Sequence, residues 1–376
     1  MSNEAIQETS TSAEDDSATS TTTTTNKPTT RTSTSTLLSA DEVAKRVGVA
    51  PTDSKATRRQ RLRAYWWFKK LLTISQFFDP IQIPNSYVNY QCIWWKAISG
   101  NDRNSPLYDT SGGLLYYDLL PPVTRLAVAT PLATYFYPRF HHANVELRTY
   151  YLDTVMEQIV KSSIPLPSSN DNDTTTMKQQ HTTIRLVLFG CGYDLRSLRM
   201  ALRYQEQQGY RMEFIELDLP HVIEAKQLLF QQRLVRRRPD LKELISQIQM
   251  FGVDLNDIDQ VESILKSQLT ANDIATPSIT IFVFEAILVY LDEGIPSKIL
   301  TVLSEILRGR SGPSSGSGVA TTAAICFADT LENIKSNQES EAREELKKYG
   351  WDLQDWITKP GKTNHLGWAT LLSDSD

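Results

Sequence analysis

Cysteine is scarce in this chain: Cys92, Cys191 and Cys326 stand far apart and are odd in number. They make neither a disulfide framework nor a zinc site, and they read as reduced thiols in a cytosol-like, cytoplasmic compartment. Histidine is sparse too. His141, His142, His181, His221 and His365 lack metal-ligand spacing, so no metal is expected. No apolar run reaches the roughly 18 residues that a membrane-spanning helix needs. A basic excess is also missing. The net charge of -5 argues against a dedicated nucleic-acid binder, because neutralising phosphates requires clustered positive charge. The N-terminus carries Glu4, Glu8, Glu14, Asp15 and Asp16 without an apolar block, unlike a secretory signal or an arginine-rich transit peptide. No Ser/His/Asp or Cys/His set presents itself for nucleophilic catalysis.

What is present is a chain of 376 residues with 40% hydrophobic and 22% charged content, enough for a sizeable core. Residues 1–36 hold 20 Ser or Thr and no aromatic, so they cannot bury enough apolar surface to offset their ordering entropy. A disordered tail is therefore expected over 1–38. From Ser39, "SADEV" gives a capping box ahead of a short helix. "RRQRLRAYWWFKK" from Arg58 interleaves basic and aromatic residues. An anionic membrane surface or an RNA would suit it. An amphipathic helix with Leu62, Trp66 and Phe68 toward the core suits it better. Residues 80–140 are rich in Tyr, Trp and Pro and read only as helices and loops, a helical N-terminal lid over 39–140.

Beyond "ELRTYYLDTVMEQIV", a strongly amphipathic helix, strand and helix alternate. Strands are expected at 184–189, 212–217, 248–253, 279–284 and 320–328. Helices are expected near 193–205, 220–234, 257–268, 294–308 and 331–348, and "GKTNHLGWATLL" is expected to supply a last strand. Apolar strands separated by helices argue for an α/β fold. The sheet would be Rossmann-like, mostly parallel with a final antiparallel strand, and covered by helices on both faces over 141–376.

Candidate chemistry collects at the strand ends. "LVLFGCGYDLRSLRM" breaks a strand at Gly190-Cys191-Gly192, where a nucleotide cofactor lies in doubly wound sheets. A dinucleotide loop needs a third glycine, but Leu195 stands at that position. A purely structural turn remains open. "EFIELDLP" places Glu216 and Asp218 on one side of the next strand's end. Asp218 suits a ribose, since a carboxylate accepts from both hydroxyls, and equally suits the start of the following helix. Asp254 follows the third strand, where it could border a base or cap a helix. Glu285 interrupts an apolar strand at its carboxyl end, where a buried carboxylate is costly without a partner.

Together these stretches resemble the leucine carboxyl methyltransferase family over about residues 140–370. "VLFGCGYDLRSLRM" is similar to its G-x-G-x-D-x-R motif (Gly190, Gly192, Asp194, Arg196). "FIELDLPHVIEAK" is similar to its E-x-D-x-P (Glu216, Asp218, Pro220), and "FEAILVYLDE" to its E-x-x-x-x-Y-L (Glu285, Tyr290, Leu291). "GVDLNDI" and "KPGKTNHLGWA" also look like family segments. The resemblance implies an S-adenosylmethionine-dependent carboxyl O-methyltransferase, with Glu285 and Tyr290 as catalytic residues. It also implies cofactor binding by Arg148, Gly190, Gly192, Asp194, Asp218, Asp254, Leu255 and Glu285. Arg148 would take the cofactor's carboxylate, Asp218 its ribose, Asp254 and Leu255 its adenine, and Glu285 its amino end. The partner it implies is a methyl acceptor, either a protein C-terminal leucine or a small carboxylic acid, and a monomer is expected. Two other functions compete: a nucleotide-dependent oxidoreductase, and a non-catalytic methyltransferase-like binding protein.

Overall fold

The computed structural model describes residues 58–79, 81, 83, 87–101, 105, 107, 113–129, 143–162, 182–204, 210–270, 278–310, 321–331, 334, 338–358 and 365–372. The expected tail over 1–38 and the helix expected after Ser39 lie outside these residues. Helices α1 (Arg58–Phe78), α2 (Tyr87–Asn101), α3 (Gly113–Leu119), α4 (Pro122–Ala129) and α5 (Ala143–Ser162) precede the sheet. Then β1 (Thr182–Phe189), α6 (Arg196–Tyr204), β2 (Tyr210–Asp218) and α7 (Pro220–Leu229) follow. α7 runs on through a π turn, Phe230–Leu234. After α8 (Lys242–Ser246) come β3 (Ile248–Gly252), α9 (Ile258–Thr270), β4 (Ser278–Glu285), α10 (Ile295–Arg310) and β5 (Thr321–Asp329). α11 (Glu339–Lys348), β6 (Trp351–Thr358) and β7 (His365–Leu371) complete the described chain.

The seven strands order as β3-β2-β1-β4-β5-β7-β6. The first five pair in parallel, whereas β7 runs antiparallel to both β5 and β6. One strand is thus reversed, as expected, but it is inserted between β5 and an edge strand that the sequence pattern did not suggest. β6 escapes a period-two reading because its register shifts between Leu353 and Asp355, so that Trp351, Leu353, Trp356 and Ile357 are all buried. α11 starts later than the pattern suggests.

Alternate residues of β1 enter opposite layers, as the two-residue repeat requires. Ile184, Leu186 and Leu188 join the layer containing α1–α7, whereas Val187 and Phe189 join the layer with α9, α10 and α11. The helices ahead of the sheet therefore share one core with it. In α1, Phe68 (1% exposed) is buried, as expected, but Trp66 is 50% exposed. Residues two apart on a helix face nearly opposite ways, so one face cannot hold both.

The π turn presents Arg233 to the N-terminal helices. It is ion-paired with Asp79 and donates to the Leu119 carbonyl (2.7 Å) and the Tyr90 hydroxyl (3.1 Å), all buried. Replacing Arg233 by Met would take the ion-pair partner from the buried Asp79 carboxylate. We expect about 3–5 kcal/mol of lost stability in chemical denaturation. A loss near zero would mean that this pair does not hold the helical layer.

Candidate active site

The strand register decides what meets. Phe189 of β1 is paired with Leu217 of β2 and with Phe284 of β4, so three chain segments leave the sheet side by side. They deliver Gly190, Asp218 and Glu285 to one end of the sheet, at the point where strand order reverses between β1 and β4. There a cavity of about 550 Å³ opens. Its lining includes Arg148, Gly190, Gly192, Asp194, Asp218, Glu285 and Tyr290, so the structure brings together seven of the nine residues singled out from the sequence. Asp254 and Leu255 are not among them. Asp254 is exposed and accepts from the Asn256 amide (3.0 Å), and Leu255 is buried in the layer with α9 and α10.

Both glycines have positive φ, 61° at Gly190 and 48° at Gly192. A Cβ at Gly190 would lie 2.4 Å from the Ile287 side chain, and one at Gly192 would lie 2.9 Å from Asn89 Oδ1. The turn needs glycine for its own packing as well as for any ligand. The Gly192 amide donates to Asp218 Oδ2 (2.7 Å) and the Leu219 amide to Oδ1 (2.7 Å). Burial raises the Asp218 carboxyl above its usual range, with these two amides opposing the shift. Each oxygen keeps further acceptor capacity toward the cavity. Glu216, on the same strand, is buried, paired with Lys226 (2.7 Å) and bonded to the Ser197 hydroxyl (2.7 Å). It is not a cavity residue.

Four cations and three carboxylates interlock beside the turn. Arg196 reaches Asp194 (2.8 Å), Asp153 (3.0 Å) and Glu285 (2.7 Å), and Arg199 also pairs with Asp153. Lys96 from α2 lies 3.2 Å from both Asp194 and Glu285, and Arg148 from α5 lies 3.6 Å from Glu285. The Tyr116 hydroxyl of α3 donates to Asp194. Burial alone would push the Glu285 carboxyl up, but Lys96 and Arg196 outweigh it and bring it down to about 2. Burial likewise opposes ionisation of Asp194, and Arg196 and Lys96 again win, holding it well below the carboxylate range. Burial, reinforced by Asp194, pushes Tyr116 up to about 12. The charges lining the cavity balance, Lys96, Arg148 and Arg196 against Asp194, Asp218 and Glu285, but buried Arg148 Nε has no hydrogen-bond partner. An anionic group entering the cavity would meet that donor.

After β4 the chain turns through Ala286, whose φ of 54° is strained for a side-chain-bearing residue. Asp329 at the end of β5 holds this turn by accepting from the amides of Ile287, Leu288 (2.6 Å), Val289 (3.3 Å) and Thr330 (2.8 Å). Ile287 then covers Gly190, and Tyr290 stands at the mouth, 70% exposed. Sequence reasoning passed over Lys96, Tyr116, Asp153, Arg199 and Asp329. Lys96 left a usable signal, because it is the lone charge in "YVNYQCIWWKAISGN" and invites the argument applied to Glu285. Arg196, at the start of α6, is 1% exposed.

Residues 172–304 match the leucine carboxyl methyltransferase family. The match runs from ahead of β1 into α10 and holds the glycine turn, Asp218, Glu285 and Tyr290, whereas Lys96, Tyr116 and Arg148 precede the matched stretch. No curated protein matches the chain. Among solved structures the chain is similar to magnesium protoporphyrin IX methyltransferase from Synechocystis with bound SAM, at 10% identity and a TM-score of 0.33, over 62% of this chain and 83% of that one. It is similar to LepI in complex with SAM at 14% identity and a TM-score of 0.30, over 90% and 81%. It is also similar to Aeropyrum pernix fibrillarin with bound S-adenosyl-L-methionine at 10% identity and a TM-score of 0.28, over 52% and 69%. These likenesses are distant, and the fold stands on the strand order itself.

Two consequences can be measured. Gly190→Ala combines left-handed backbone with a collision at Ile287, so a destabilisation above the roughly 1–2 kcal/mol of the backbone effect alone is expected. Adding Ile287→Ala should recover the excess, and a double-mutant cycle without coupling would disprove the interlock. Glu285→Gln removes a carboxylate that three cations face, with an expected cost of about 3–5 kcal/mol at neutral pH. The folded-state value of about 2 lies below the ordinary 4.5, so this contribution is complete above pH 4.5 and is lost as pH falls toward 2. Denaturation across that window should show parent and variant converging; a constant gap would contradict the pairing.

Proposed function

We propose that the protein is an S-adenosylmethionine-dependent O-methyltransferase whose acceptor is a carboxylate. The observation that carries this reading is the convergence, on one cavity, of the glycine turn, Asp218 and a charge cluster that includes the unbonded Arg148 Nε. The residues suit that cofactor. Asp218 offers acceptor capacity to a ribose diol, Arg148 has a buried donor free for a carboxylate, and Glu285 offers a carboxylate to an ammonium group. Leu195, fully buried where a dinucleotide loop has its third glycine, fits a cofactor without a pyrophosphate. Bound there, S-adenosylmethionine would supply a methyl group on a cationic sulfur.

The chain's own part is binding, orientation and exclusion of water. Lys96, Arg148 and Arg196 fix the orientation of Glu285, and Asp194 is locked by Lys96, Arg196 and Tyr116. Tyr290, at the mouth, would contact the acceptor. Held by Arg148, Asp218 and Glu285, the cofactor would supply its methyl group to an acceptor oxygen. A carboxylate needs no base for this. Asp254 and Leu255, outside the cavity lining, would serve the adenine only as a border beyond the turn.

Calorimetry tests the proposal. Saturable binding of S-adenosylmethionine is expected, with no comparable binding of NAD(H), and absence of the former would refute it. Asp218→Ala should cost about 1–3 kcal/mol of cofactor affinity through lost hydrogen bonds. Unchanged affinity would remove Asp218 from the site. Labelled methyl transferred into a cell extract should be released by base, as an ester is.

A further inference from the structure

The interleaved basic and aromatic stretch plays no part in the cavity chemistry. Helix α1 carries Arg58, Arg59, Arg61, Arg63, Lys69 and Lys70 and no acidic residue, in a chain whose net charge is -5. Its buried side is formed by Phe68, Leu72 and Ser75. Opposite them, Trp66, Ile74, Phe77 and Phe78 are 50%, 47%, 82% and 66% exposed. Steps of three and four residues put Trp66, Lys70, Ile74 and Phe77 in one row, with Phe78 alongside. Lys70 Nζ lies 3.7 Å over the Trp66 ring, and the Phe77 and Phe78 rings meet edge to face at 5.2 Å. Large apolar side chains in a contiguous exposed row mark a surface that something covers.

The helix narrows the choice of occupant. A second copy would bring together two basic helices, with no acid in either to offset the charge. A nucleic acid would find stacking rings but offers no apolar layer to receive Ile74 and the Phe77 and Phe78 side chains. A lipid surface with anionic headgroups answers both features at once. Trp, Phe and Ile side chains enter the boundary between headgroups and acyl chains, while Lys and Arg remain at the charged surface. No helix among the described residues is long and apolar enough to cross a membrane, so the contact is peripheral. We propose that α1 docks this protein on an anionic membrane surface through Trp66, Ile74, Phe77 and Phe78.

The test is cosedimentation of the full chain with phosphatidylcholine vesicles that contain or lack phosphatidylserine. Binding is expected only with phosphatidylserine, and it should weaken as salt rises. Phe77→Ser/Phe78→Ser should reduce partitioning by roughly tenfold or more, because two phenyl groups leave the apolar phase. Its thermal unfolding and cavity ligand binding should stay at parental values, since both side chains are exposed. Three outcomes would overturn the proposal: no binding to phosphatidylserine vesicles, equal binding by the double variant, or a dimer that the double variant dissolves.

Discussion

The structure depends on one constraint, the burial of ionised groups at the end of the sheet. Seven charged side chains from α2, α5, α6, the turn after β1 and the end of β4 sit together with little access to water. Removing a charge from water is expensive unless partners with good geometry restore what hydration supplied. Each carboxylate here is faced by at least two cations, and Glu285 by three. The helices ahead of the sheet are therefore part of the site. Without Lys96 and Tyr116, Asp194 would keep only Arg196 as a side-chain partner, and Glu285 would lose one of its three cations. Arg233 and Asp79 repeat this logic beyond the cavity and hold the same helices from the other side.

The glycine turn shows how packing and chemistry share a residue. Gly190 must lack a side chain because Ile287 occupies that space, and Ile287 is there because Asp329 holds its amide. The turns after β1 and β4 are thus interlocked through a carboxylate on β5. Strain at Ala286 persists because several hydrogen bonds over-determine it. A cavity wall built this way keeps its shape before any ligand arrives, which lowers the ordering cost of binding.

Much of this was legible in the sequence. β1, β4 and β5 announce themselves because both faces are buried, and such strands are largely apolar. Glu285 was legible by the same token, as a charge where the pattern allows none. β6 was not, since its bulge cancels the alternation by which a half-covered strand is recognised. Trp66 was misassigned because hydrophobicity was counted without the angle between positions 66 and 68. Asp153, Arg199 and Asp329 could not be found locally. Nothing near them in sequence says which distant groups they meet, and a carboxylate accepting several backbone amides looks like any other acid until the chain is folded.

The protonation state of the cavity bears on what it could methylate. An alcohol or amine acceptor must give up a proton, and a base working near neutrality serves that best. The cavity's groups are displaced away from that range. Burial raises the thiols of Cys92 and Cys191, and burial with Asp194 raises Tyr116 to about 12, so all three stay protonated. Burial pulls Lys96 toward neutrality, but Asp194 and Glu285 overcome it and keep the ammonium charged. Glu285 at about 2 is a weak base, and Asp194 lies lower still. Asp218 alone is raised among the cavity acids, and its oxygens already accept from two amides. Under the proposed function, a site without a base near neutrality suits an acceptor that arrives already ionised, as a carboxylate does.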